Sequence, residues 1–181
     1  IILRKDALDG WRRSIHLYLP VLNINLLEHN KQLLKQITNF LTGDNWEFTF
    51  RERNLTLEEK NCREQMAQRR INTLDTNKIC MFSGGLDSFI GAIDLLEDES
   101  NNIIFVSHYG GGMGTLEYQK VLKQEVINKY SILENSFYSF YAAPRGGEED
   151  TMRSRSLMFF SHAIAIASCF NKRIVLVIPE N

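Results

Sequence analysis

The chain has only three cysteines among 181 residues, and no two of them form a C-x-x-C pair. Cys62, Cys80 and Cys169 are an odd number for a disulfide framework and too scattered for zinc, an iron–sulfur cluster or a redox couple. The expectation is a cytoplasmic protein with reduced thiols. Cys80 and Cys169 stand in apolar runs, which predicts that both are core residues. No apolar run approaches the ~20 residues of a membrane-spanning helix. The net charge is −1, so no global field draws the chain to a membrane surface or to nucleic acid, and no direct nucleic-acid binding is expected. Repeats and low-complexity tracts are absent from the sequence. The sequence opens at Ile1 with neither an initiator methionine nor a basic-then-apolar signal pattern. It closes at Pro179-Glu180-Asn181, directly after an apolar strand pattern, which predicts a piece of a longer polypeptide.

What is present divides in two. Apolar residues make up 44% of the chain, enough for a proper core in one domain with a small appendage. Residues 1–76 predict a small α+β extension. Ser14 to Pro20 alternates polar and apolar residues, as a half-buried strand does, and ends at proline. Leu26, Leu27, Leu33, Leu34, Ile37, Phe40 and Leu41 recur at helical spacing, with Gly43 as the stop. Trp46 to Arg51 alternates again, Glu58 to Arg70 is a charged helix, and Asn72 to Asn77 is a polar connector.

Residues 77–181 alternate strand and helix: strands at 79–82, 103–108, 137–141 and 173–178, helices at 87–97, 116–130 and 155–170. On the helix at 116–130, Leu116, Val121, Leu122, Val126 and Ile127 are the expected inward residues. Continuous apolar strands alternating with helices predict a parallel sheet covered on both faces. Ligands bind such sheets beyond the carboxyl ends of the strands, where loops 83–88, 109–112 and 144–150 should converge.

The first of these loops is the strongest signal in the chain. The apolar run Ile79-Cys80-Met81-Phe82 leads into Ser83-Gly84-Gly85-Leu86-Asp87-Ser88, and a helical pattern follows. A strand–turn–helix arrangement aims backbone N–H groups and the positive end of a helix dipole at one point, which suits a phosphate. Two glycines let the backbone approach an anion closely, and two hydroxyls add donors. Asp87 would repel a phosphate unless a divalent cation lies between them. The motif is neither G-x-x-x-x-G-K-[ST] nor G-x-G-x-x-G.

These six residues resemble the S-G-G-x-D-S signature of the PP-loop ATP pyrophosphatases, matching all five fixed positions. The resemblance implies a HUP-type α/β sandwich, with a parallel sheet covered by helices on both faces. It implies ATP and Mg²⁺ as cofactors, bound by Ser83, Gly84, Gly85, Leu86, Asp87 and Ser88, with Asp87 the metal-binding and catalytic carboxylate. A narrower resemblance runs through Arg155-Ser156-Leu157-Met158-Phe159-Phe160-Ser161, similar to the R-N-x-x-F-L-S stretch of the QueC-like (7-cyano-7-deazaguanine synthase-like) proteins, with Ser156 in place of their Asn. Tyr109-Gly110 resembles their Y-G at the end of the second strand. The repeat Arg153-Ser154-Arg155-Ser156 and the closing Pro-Glu-Asn look closest to QatC-type, QueC-like proteins of bacterial anti-phage systems. These likenesses imply an ATP-dependent ligase that adenylates a small-molecule carboxylate and releases pyrophosphate, with protein partners in a defence complex. Tyr109, Gly110 and Arg153 are added to the nucleotide-binding set, and Arg155 to the catalytic one. QueC carries a four-cysteine zinc site after this region; the three cysteines here cannot supply it, and the sequence stops too early to show whether one follows.

Two other classes stay open: a nucleotide-binding scaffold subunit without chemistry, and an RNA-modifying PP-loop enzyme. The near-neutral charge and the lack of C-x-x-C weigh against the latter. Several residues carry double readings. Arg153 and Arg155, unfavourable at a helix N-terminus, either meet an anionic ligand or pair with Glu148, Glu149 and Asp150, which could themselves hold Mg²⁺ or form a solvated loop. Residues 109–114 form a phosphate or adenine loop, or a plain crossover. His108 is a general base or a hydrogen-bonded structural residue. His162 is expected to be packed, and the aromatics of 137–141 to belong to the core.

Overall fold

The computed structural model describes residues 3–68, 75–98, 102–110, 114–143 and 154–180. Two compact units emerge, one built on residues 1–72 with 148–154 and the other on residues 73–147 and 155–181.

The first unit holds strands β1 (Ser14–Val21) and β2 (Asn45–Glu52), paired in parallel from Ser14 opposite Asn45 to Val21 opposite Glu52. The expected α+β extension is therefore a β-α-β unit, because the segment between the strands is long enough to cross over the sheet. The single helix predicted there is two, α1 (Ile24–His29) and α2 (Lys31–Thr42). Asn30 breaks the run: its backbone leaves the helical region (φ −100°, ψ 6°) and its side-chain amide donates to Leu26 O at 2.8 Å. Gly43 ends α2 in the left-handed region (φ 74°), as its position predicts. Pro20 does not end β1. In a two-stranded sheet both strands are edges, where a missing N–H is tolerated. A third helix, α3 (Leu57–Gln68), opens with a capping box. Thr56 N–H donates to the Glu59 carboxylate (2.8 Å) and Glu59 N–H to Thr56 Oγ1 (3.2 Å). Arg53 pairs with the same carboxylate at 2.8 and 2.9 Å, and these contacts, the Arg53 bonds foremost, hold Glu59 at a pKa of about 2.

The second unit runs β3 (Lys78–Met81), α4 (Leu86–Glu97), β4 (Ile103–Tyr109), α5 (Thr115–Tyr130), β5 (Phe137–Tyr141), α6 (Arg155–Ala167) and β6 (Val175–Val177). The four strands form one parallel sheet in the order β5-β4-β3-β6. Alternation along β3 supplies both layers of the core. Ile79 and Met81 join Ile104, Val106 and Ala163 beneath Phe159, Phe160 and Ile166 of α6. Cys80 and the following Phe82 join Phe105 and Ala92 beneath Phe89, Leu95 and Leu122 of α4 and α5. The sheet is thus an α/β parallel sheet flanked by helices on both faces, compatible with a Rossmann-like fold. Among the described residues no helix is long and apolar enough to cross a membrane.

Three burial expectations fail here. Of the aromatics of β5, Phe137 and Phe140 pack against the core clusters, but Tyr138 and Tyr141 are exposed. Cys169 is exposed, because α6 stops at Ala167 and the chain turns before it. Val121 is also exposed. The inward row of α5 is Gln119, Leu122 and Val126, at steps of three and four, so a glutamine takes a core position. The cysteines then differ sharply in reactivity. Burial pushes the Cys80 thiol up to about 12 and leaves it no accessible surface. A maleimide should modify Cys62 and Cys169 in the native protein and Cys80 only after denaturation. Peptide mass mapping checks this, and native labelling of Cys80 would contradict the packing.

Candidate functional site

Strand order places the Ser83–Ser88 loop at a special point of the sheet. From β3 the chain moves to β4 and β5 on one side, then returns across the sheet to place β6 on the other. The crevice between the carboxyl ends of β3 and β6 is the topological switch point, where open α/β sheets bind ligands. A cavity of about 210 Å³ lies there, lined by Ser83, Gly85, Asp87 and Ser88 from the loop, by Ser156, Phe159 and Phe160 from α6, and by Pro179 and Glu180 after β6.

The loop is held by its own hydroxyls. Ser88, buried in the first turn of α4, gives its proton to Gly85 O (2.9 Å) and accepts from Ser83 Oγ–H (3.1 Å) and Gly84 N–H (3.2 Å). One donor and two lone pairs are all that a hydroxyl has. Ser88 is therefore saturated as a brace of the loop. Ser83 is exposed, and its Oγ also accepts a long hydrogen bond from Gly85 N–H (3.4 Å). Gly84 has φ +89°, and a Cβ built on it would lie 2.7 Å from Cγ of Gln119, so an L side chain is excluded twice over. Gly85 is the N-cap of α4, so the N–H groups of the first turn have no acceptor within the helix and point out of its end. Leu86 occupies the first helical position with its side chain exposed, so it can serve an anion through its N–H alone. Asp87 follows it, exposed and on the cavity wall.

The remaining candidates distribute unevenly. Tyr109 ends β4 and Gly110 follows it, as expected, with the Tyr109 ring 5.3 Å from that of Tyr141. They are not among the residues lining the cavity. Arg155 opens α6, exposed, one residue before Ser156, which does line it. Arg153 lies outside the described residues, as do Gly111, Gly112, Met113 and the 144–150 loop. His108 is buried, with Nε2 hydrogen-bonded to Ala142 O at 2.8 Å, the structural alternative of its two readings. His162 stacks on Phe140 (4.6 Å), and burial first, then the neighbouring His108, lowers its pKa.

Two groups escaped the sequence reading. Gln119, 4% exposed, donates from Nε2 to Ser83 O and to His108 O, both at 2.9 Å. A glutamine in phase with Leu122 and Val126 was its only signal. Glu180 belongs to the closing Pro-Glu-Asn of the sequence, yet it lines the same cavity as Asp87.

Magnesium takes oxygen ligands, keeps several waters, and is held through one or two carboxylates plus substrate phosphates. Asp87 and Glu180 fit that donor set, with phosphate oxygens completing it. Among the described residues no cluster of three or more His, Cys, Asp or Glu could hold a metal by itself. At about 210 Å³ the cavity is smaller than the ~300–1,000 Å³ of pockets that enclose drug-sized ligands. Comparison with protein-family models and with curated proteins finds no match for this chain.

Proposed function

We propose that the chain is a PP-loop, QueC-like ligase that adenylates a small carboxylic acid and releases pyrophosphate. The observation that carries this reading is the Ser83–Ser88 motif at the switch point of a parallel sheet, with its first-turn N–H groups and Asp87 at one cavity. In this reading the β- and γ-phosphates of ATP occupy the cavity. The N–H groups of Leu86 and its neighbours stabilise charge that grows on the leaving pyrophosphate, and the Ser83 hydroxyl joins them by turning its proton from Ser88 to the ligand. Ser88 braces the loop in that conformation. Asp87, with Glu180, holds Mg²⁺, which when bound offsets repulsion between phosphate oxygens.

The substrate carboxylate attacks the α-phosphorus, the bond from that phosphorus to the bridging oxygen breaks, and its electron pair leaves with pyrophosphate. Arg155, with Arg153, balances charge on the α-phosphate or the acid. A nitrogen nucleophile then displaces AMP from the acyl-adenylate and loses a proton. By resemblance the acid is of the 7-carboxy-7-deazaguanine type, and the setting is a cytoplasmic bacterial anti-phage system with protein partners.

The test is product analysis with ATP, Mg²⁺ and a deazaguanine carboxylic acid. AMP and pyrophosphate in equal amounts, dependent on the acid, are expected. ADP with phosphate, or no nucleotide turnover in the presence of the acid, would overturn the proposal.

A further inference from the structure

The motif accounts for what the anion loop is made of, but not for what holds it to the sheet. β3 and β4 pair as far as Met81 opposite Val106, and one more ladder bond runs from Phe82 N–H to Val106 O (2.7 Å). The Ser107 hydroxyl then donates to Phe82 O at 2.8 Å. Beyond this point the two chains diverge, β3 into the loop and β4 toward Tyr109. Ser83 O and His108 O would be left as carbonyls at the divergence. One side chain reaches both. The Gln119 amide lies across the gap, each of its N–H groups meeting one carbonyl.

The orientation of that amide is fixed by chemistry. Two carbonyl acceptors demand the NH₂ end, since the reverse would set an oxygen against two oxygens. The Gln119 Oε1 is then left buried with no hydrogen-bond partner among the described residues. A buried orphan acceptor is a cost that a core leucine would avoid. Gln119 stands where the helical row calls for an apolar residue, with Leu122 and Val126 next in line. Gly84 also rests on its stem, so closely that a Cβ would not fit.

We infer that Gln119 is a positioning residue for the anion site: its amide and stem seat Ser83 and Gly84 so that the loop is formed before a ligand arrives. A preformed loop has little ordering left to lose on binding. The inference rests on the proposal that the loop binds the pyrophosphate part of ATP, but its own consequence, the order of the empty loop, is separate.

The test is Gln119→Met, which keeps the length, removes both donors and removes the orphan oxygen. Lost hydrogen bonds and the removed orphan act in opposite directions, so melting should stay within about 5 °C of the parent chain. Hydrogen exchange at the Gly84 and Gly85 amides should quicken about tenfold, and affinity for Mg²⁺-pyrophosphate should weaken about tenfold. Unchanged exchange at unchanged melting would overturn the positioning role. If the parent chain binds no pyrophosphate, the functional proposal fails, while the exchange result still decides the role of Gln119. If Gln119→Met does not fold, Gly84→Ala lifts the loop off an intact Gln119. It should quicken exchange at Gly85, and unchanged exchange there would overturn the inference.

Discussion

Replacing Asp87 with alanine should abolish acid-dependent pyrophosphate release and leave the fold intact. The two halves of that expectation come from different physics. Asp87 is exposed in the first turn of α4, where a carboxylate meets the N-terminal dipole favourably. That is worth about 0.3–1 kcal/mol, a small part of the stability of a domain. The same carboxylate stands on the wall of the cavity that would receive two phosphates. Removing it takes away the group proposed to anchor the cation, and with it charge stabilisation in the transition state. Loss of a single preorganised donor in comparable sites costs about 10²–10³ in rate, and loss of a cation anchor at least as much. Asp87→Asn keeps an oxygen ligand but no charge, and should fall between. Circular dichroism and melting check the fold, and a coupled pyrophosphate assay checks the rate. A variant that folds and turns over at near-parent rates would sink the mechanism.

The parallel sheet could be read from the sequence because strands buried on both faces leave few polar residues to blur their ends. Ile103 to His108 is buried throughout, and its apolar run marks the strand to within one residue. The Ser83–Ser88 loop could be read because its residue types are dictated by backbone geometry. What could not be read came from polar side chains bonded to distant backbone. Gln119 looks like any helix glutamine until the carbonyls of Ser83 and His108 are placed beside it, residues 36 and 11 positions away. Asn30 splits a helix by bonding its own neighbours, against a leucine spacing that runs straight through it. Glu180 joins the site because β6 lies beside β3, a consequence of strand order that no local pattern carries.

Asp44 is another residue that no local pattern reveals, and its replacement by alanine should be the most damaging single change to the first unit. It follows Gly43, is 2% exposed, and its carboxylate accepts hydrogen bonds from Arg4 and Arg13. Arg4 reaches both oxygens (3.1 and 3.2 Å), Arg13 reaches both through Nε (3.2 Å) and Nη2 (2.7 Å), and the Arg13 backbone N–H adds another at 3.1 Å. Arg4 also donates to Thr42 O and Trp11 O, so the cluster fastens the start of the chain to the entry of β1 and β2. Burial acts to raise the Asp44 pKa, but the Arg13 hydrogen bonds and the charges of Arg13 and Arg4 outweigh it and the net direction is down. The group thus binds its proton more readily unfolded than folded. Its contribution is complete above the unfolded value of about 3.8 and is lost as the pH falls through the lower folded value. Asp44→Ala should cost about 3 kcal/mol at neutral pH, the low end for a broken buried pair, because the arginines keep 20% and 15% side-chain exposure and can partly rehydrate. That is a large share of what a small unit possesses. Asp44→Asn, which keeps one acceptor oxygen, should cost less. Denaturant titration at pH 7 and below pH 3 separates charge from packing. The gap between parent and Asp44→Asn should narrow at low pH, whereas an equal gap at both would mean that the buried charge contributes nothing.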